Sequence, residues 1–225
     1  MDNSNKPPSS DQIKQKLVET KEKWAKEGRL LTGQTSDAAK DRLPSGQREV
    51  KNWPVLDLGI QPNIPLDNWK LTVDGLVKNP VALDWKQLQD MPMVDLVSDV
   101  HCVTAWSRFD NHWQGVSTRE LAKLVQPMGD AKFVLCSSYD GYTTNVPLDI
   151  FLDQNSLIAI AWEGKPLTRE HGGPVRMVIP KLYFWKSAKW IKRLEFIKED
   201  HPGFWETRGY HNHGDPWLEQ RYSNS

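Results

Sequence analysis

Short apolar runs separated by turn dipeptides fill the chain after residue 68, and this punctuation limits the fold more than any other feature. "WKLTVDGLV" alternates apolar and polar positions and turns at Asp74-Gly75, the period-2 pattern of a half-buried strand. "KFVLCSSYDGYTTNVPL" reads as a hairpin about Asp140-Gly141, and "SLIAIAWEGKPL" as a buried strand turning at Glu163-Gly164. "PVRMVIP" and "KWIKRLEFI" add two strands, the second with Trp190, Leu194 and Phe196 set among bases. Helical signals are fewer: "LDWKQLQDM" is capped by Asp84, and a Ser117/Glu120 capping box precedes "LAKLVQP", which Pro127 ends. Strands outnumber helices without alternating regularly with them. The pattern predicts an α+β fold of mixed β-sheets with short flanking helices, not a doubly wound α/β sheet.

The 225 residues divide into a polar N-terminal extension, 1–50, and one domain, 51–225. Residues 1–10 are polar and proline-containing. Ser10 or Asp11 caps an amphipathic helix over 11–27, with Ile13, Leu17 and Trp24 as its apolar stripe, Glu19/Lys23 and Glu22/Lys26 as i,i+4 pairs, and Gly28 as its stop. A polar linker over 29–52 leads to "WPVLDLGIQPNIPLDNW", where the domain begins. The segment 199–225 is too aromatic for a free tail and is expected to pack back over the domain. With 29 basic and 29 acidic residues the formal charge is zero, so global electrostatics favour neither nucleic acid nor an anionic membrane. No window reaches the roughly 18 apolar residues of a membrane span, and no export signal opens the sequence, so a cytoplasmic location is expected. Two cysteines are too few for a disulfide framework and agree with a reducing compartment. Eleven tryptophans exceed what a core of this size needs, which places some of them at a pocket or interface.

Chemistry concentrates in two segments. In "DVHCVTAWSRFDNHWQG" one thiol, Cys102, stands between His101 and Arg108, where it is either a buried apolar side chain or an activated thiolate. No cysteine-hydrolase signature surrounds it, and in a strand His101 points to the opposite face. In "HGGPVRMVIPKLYFWKSAKWIKR" two glycines admit a ligand to the backbone, while Arg176, Lys186, Ser187 and Lys189 supply donors. This segment reads as an anion cradle or as a basic solvated strand. His201, His211 and His213 have only Asp215 or Cys136 nearby to complete a zinc sphere, so packing and turn bonds stand beside a metal role. Neither G-x-G-x-x-G nor G-x-x-x-x-G-K-[ST] occurs, which leaves nicotinamide and nucleotide-triphosphate chemistry unsupported.

Taken together, "HCVTAWS", "HGGPVR", "KSAKW" and "GFWETRGYHNHGDPW" resemble the sulfite oxidase family of molybdenum enzymes, in particular its small stand-alone branch, over about residues 50–222 in consistent order. The resemblance implies a sulfite-oxidase-type molybdopterin-binding fold, a molybdenum cofactor (Mo-molybdopterin), and Cys102 as the protein's direct ligand to the metal. A soft thiolate suits a metal already bound to a dithiolene. It further implies that His171, Arg176, Ser187, Ala188 and Lys189 hold the pterin and its phosphate, with Lys186, Asn63 and Ser137 or Ser138 also at the cofactor. Arg108, Tyr183 and Lys186 are its candidates for the polar rim of a substrate pocket, and Trp106 and Trp113 would exclude water. Ile160 stands where sulfite oxidases proper carry a tyrosine, so sulfite is not the expected substrate. Neither a haem domain nor the dimerisation domain of the animal enzymes is recognisable, which implies that electrons enter or leave through an external partner or directly through substrate. The implied activity is a two-electron, oxygen-atom-transfer reaction on a small oxyanion, S-oxide or N-oxide. Methionine-sulfoxide-type reduction is one alternative, and a non-catalytic molybdopterin-binding carrier another, though a carrier has no need of Cys102. The helix over 11–27 carries no part of the resemblance.

Overall fold

The computed structural model describes residue 15, residues 18–20, residue 23 and residues 41–224. Of the expected N-terminal helix, Gln15, Val18, Glu19, Thr20 and Lys23 are helical, and Val18 is buried in the core. Its Ile13/Leu17/Trp24 stripe and the Glu22/Lys26 pair lie outside the described residues.

Two mixed sheets make up the domain. The first holds β1 (Arg48–Glu49), β4 (Met93–His101), β5 (Trp106–Ser117), β8 (Leu157–Trp162), β9 (Lys165–Pro166) and β10 (Arg176–Val178), in the order β1-β5-β8-β10, with β4 paired to β5 and β9 to β8. The second has the order β3 (Val81–Asp84), β2 (Lys70–Gly75), β11 (Ile191–Ile197), β6 (Phe133–Ser138), β7 (Thr143–Pro147). Pairing is parallel between β1 and β5 and between β11 and β2, and antiparallel elsewhere. The helices are short: α1 (Trp85–Gln89), α2 (Thr118–Val125) and α3 (Leu148–Phe151). This is the α+β arrangement expected. Among the described residues no helix is long and apolar enough to cross a membrane.

Local chemistry explains the boundaries. Asp84 and Gln87 form a reciprocal capping box at α1, with bonds of 2.8 and 2.9 Å. Ser117 caps α2 by accepting from Arg119 N, but Glu120 turns away to Lys123, so the box expected there is not formed. Gly115 on β5 allows β8 its close approach: a Cβ at that position would stand 2.0 Å from the Ile158 carbonyl oxygen.

The expected linker over 29–52 needs correction from residue 42 on. Arg42 bonds both Asp99 and Asp110, Gln47 and Val50 are buried, and β1 runs parallel to β5. This stretch joins the fold through backbone hydrogen bonds, Arg48 N to Ala105 O at 3.0 Å and Val50 N to Ser107 O at 2.8 Å. Its polar composition therefore carried no apolar signature of burial. The aromatic C-terminal segment packs back as expected, with Trp205 and Tyr210 buried and stacked at 4.7 Å.

Candidate active site

Cys102 lies in the turn that joins β4 to β5. Cys102 N donates to Trp106 O at 2.8 Å, Ala105 N to Cys102 O at 3.0 Å, and Ala105 adopts the left-handed region at φ 67°. A non-glycine residue pays about 1 kcal/mol or more for that conformation, and neighbouring segments hold it in place. Gln47 Nε2 donates to Cys102 O at 3.0 Å, Arg48 N to Ala105 O, and Arg221 Nη1 to Val103 O at 2.8 Å. The sulfur itself stands 3.1 Å from Thr104 Oγ1. His101 does not serve the thiol: its ring bonds Ser107 Oγ at 2.8 Å, and burial pushes its pKa down to about 4.

Facing this turn is the anion cradle. A 3-10 turn, Arg169–His171, ends on Gly172 at φ 103°, a conformation glycine adopts without strain. Arg176, at the start of β10, is buried; it donates to His171 O at 2.8 Å and Ser187 O at 2.9 Å and lies over the Phe184 ring at 4.4 Å. No carboxylate pairs with it among the described residues, and burial alone drives its pKa down to about 9, so it remains cationic at neutral pH. His171 stacks on Trp53 at 3.9 Å and bonds Trp53 O through Nε2. Burial holds its pKa below the usual value, and the charges of Arg176 and Lys189 add to that effect. Lys189 Nζ donates to Glu170 O at 2.8 Å, and Ser187 Oγ accepts from Ile179 N.

These groups line one cleft. Cys102, His171, Arg176, Ser187, Ala188 and Lys189 share it with Trp53, Trp106, Phe184, Trp185 and Trp205, around about 840 Å³ of space including the open mouth. Other expected site residues stand apart. Lys186 is fully buried and spends its ammonium on Glu206 at 2.6 Å, Asn145 Oδ1 at 2.7 Å and Asn212 O at 2.6 Å. Its place at the cofactor and substrate rim is thereby corrected to a structural ion pair. Arg108 lies outside the cleft lining, bonded to Asn111 and Glu163 and set over Trp162 at 4.6 Å. Tyr183 is fully buried, stacked on Trp185 at 5.3 Å, and is not part of the rim. Trp113 is buried 5.2 Å from Trp53, one layer back from the cleft.

Two assignments miss by a few positions. Asn63 is exposed, while Trp53, Pro54, Leu56, Asp57 and Leu58 of the same loop reach the cleft. Ser137 and Ser138 lie on β6, and it is Asp140 and Tyr142, just past that strand, that line the cleft. The histidines near the C-terminus hold a turn, since His211 Nδ1 accepts from His213 N and Gly214 N. Among the described residues no group of three or more His, Cys, Asp or Glu is placed to hold a metal ion. The tryptophan excess, and Trp106 beside the thiol, were the sequence signals for the cleft walls.

A buried guanidinium without a counter-charge across from a thiol, between aromatic walls, fits an anionic cofactor that carries a thiophilic metal. The family model described as "Oxidoreductase molybdopterin binding domain" matches residues 58–205, and the chain belongs to that family, whose members are molybdopterin-dependent oxidoreductases of the sulfite oxidase type. Among its relatives is "Uncharacterized oxidoreductase YuiH" of Bacillus subtilis, 46% identical over 183 residues that cover 81% of this chain and 92% of that one. "Protein-methionine-sulfoxide reductase catalytic subunit MsrP" of Campylobacter jejuni is 28% identical over 162 residues, 64% of this chain and 54% of that one. The chain thus spans about half the length of that relative. The solved "Sulfane Dehydrogenase SoxCD" from Paracoccus pantotrophus shares the fold at a TM-score of 0.57 and 18% identity, over 62% of this chain and 40% of that one.

Proposed function

We propose that the chain binds a mononuclear molybdenum–molybdopterin cofactor through Cys102 and carries out a two-electron oxygen-atom transfer on a small oxyanion, S-oxide or N-oxide. The observation that carries this reading is the presence in the lining of one cleft of Cys102 and of Arg176, which has no carboxylate partner among the described residues. When bound, the cofactor supplies the redox chemistry, and the chain supplies position, charge and a dry pocket. Cys102 would bind the metal. Arg176 and Lys189 would face the phosphate, which offsets the cost of burying the guanidinium. Trp53, Phe184, Trp185 and Trp205 would exclude water. An external protein or small molecule would exchange electrons with the site. Among the described residues neither Cys102 nor Cys136 is in a disulfide, which supports a reducing, cytoplasmic setting.

The test is molybdenum and pterin content of protein from a host that makes the cofactor. About one molybdenum per chain is expected. Cys102→Ser should retain pterin and lose turnover, and Arg176→Ala should lose pterin and metal together. Metal-free wild-type protein without pterin overturns the reading, and unchanged turnover in Cys102→Ser overturns the ligand assignment. The likeness to the methionine-sulfoxide reductase favours one second reading, reduction of S-oxides. Turnover of methionine sulfoxide with a viologen donor separates it from activity on oxyanions.

A further inference from the structure

We propose that Thr104 is a positioning residue that donates a hydrogen bond to the Cys102 sulfur and thereby sets the reduction potential of the metal that this sulfur binds; the inference rests on the reading of Cys102 as ligand. Thr104 Oγ1 lies 3.1 Å from Sγ, is buried, and lines the cleft. Among the described residues its hydroxyl bonds no other group. Both residues belong to the turn fixed by the Cys102–Trp106 and Ala105–Cys102 backbone bonds and by Gln47, Arg48 and Arg221, so the pair is held at this distance by the backbone.

A thiol and a hydroxyl can exchange donor and acceptor roles. A metal-bound thiolate has no proton, which leaves Thr104 as donor. A hydrogen bond to a ligating sulfur withdraws electron density from it, weakens its donation to the metal and stabilises the reduced state, raising the potential. Two neighbouring polar side chains are committed elsewhere, His101 to Ser107 and Gln47 to the Cys102 carbonyl.

Valine matches threonine in shape and lacks the donor. Molybdenum midpoint potentials should be measured by EPR-monitored redox titration of metal-loaded wild type, Thr104→Val, Thr104→Ala and Thr104→Ser, with the sulfur-to-metal absorption band recorded alongside. Thr104→Val and Thr104→Ala should shift the potential downward and the band to lower energy at near wild-type metal content. Thr104→Ser should restore both. Potentials and bands equal to wild type in the valine and alanine variants overturn the proposal. Failure of both variants to load metal while serine loads also overturns it, because the hydroxyl would then serve to retain the metal and not to set its potential. Metal-free wild-type protein instead overturns the ligand reading of Cys102, and this inference with it.

Discussion

Arg176 carries its charge into a wall of rings where three backbone carbonyls and, among the described residues, no carboxylate meet it. Its fork fixes the carbonyls of His171 and Ser187 together, so charge and geometry are both in use. Arg176→Lys keeps the charge and loses the fork, and is expected to lower pterin retention about tenfold or more, read by pterin fluorescence after gel filtration. His171, Arg176 and the 187–189 stretch were legible in the sequence because glycines and cations fall within one short segment. Lys186 belongs to the same segment and was misread. Its partner Glu206 is twenty positions away, and nothing in a linear pattern tells a lysine that faces a cleft from one that faces a buried acid. Burial depresses the Lys186 pKa and Glu206 opposes the shift. Lys186→Met should cost about 3–5 kcal/mol in urea denaturation by leaving Glu206 buried and unpaired. Lys186→Met/Glu206→Gln should recover most of that loss, since the amide oxygen still accepts from Trp185 and Thr144.

At the level of elements, the β6–β7 hairpin, the β8–β9 turn and the α1 cap were legible because each is local and has a turn or cap residue where the backbone needs one. The β4–β5 turn has no glycine and uses Ala105 in the left-handed region, so it announces itself only through the contacts that hold it. β1 is two residues long and polar, and only its position beside β5 gives it meaning. Gly115 shows how closely β5 and β8 depend on one missing methyl group. Gly115→Ala should cost about 3 kcal/mol by forcing the pair apart, measurable as a fall in Tm and in soluble yield.

For the whole molecule, the cleft draws on segments distant in sequence: the loop at 53–58, the cysteine turn, Asp140 and Tyr142, the cradle and the Trp205–Tyr210 tail. This is why Trp53, Phe184 and Asp140 were beyond sequence reading, whereas Trp106 and Arg176, next to recognisable motifs, were not. It also means that a ligand in the cleft ties the two sheets to the tail. A cofactor present at a hundred times its dissociation constant stabilises the folded state by about 2.7 kcal/mol. Stripping it should lower Tm by roughly 5–10 °C. Hydrogen exchange should quicken in these segments more than in the interior of β11, and uniform acceleration would contradict a cleft-centred effect.

Arg221 closes the cysteine turn by gripping Val103 O from 118 positions further along the chain. At the usual 5–20 residues per second, synthesis of that stretch takes roughly 6–24 s. The turn around the thiol is therefore fastened only after the segment that carries Arg221 has been made, at least that long after Val103 itself.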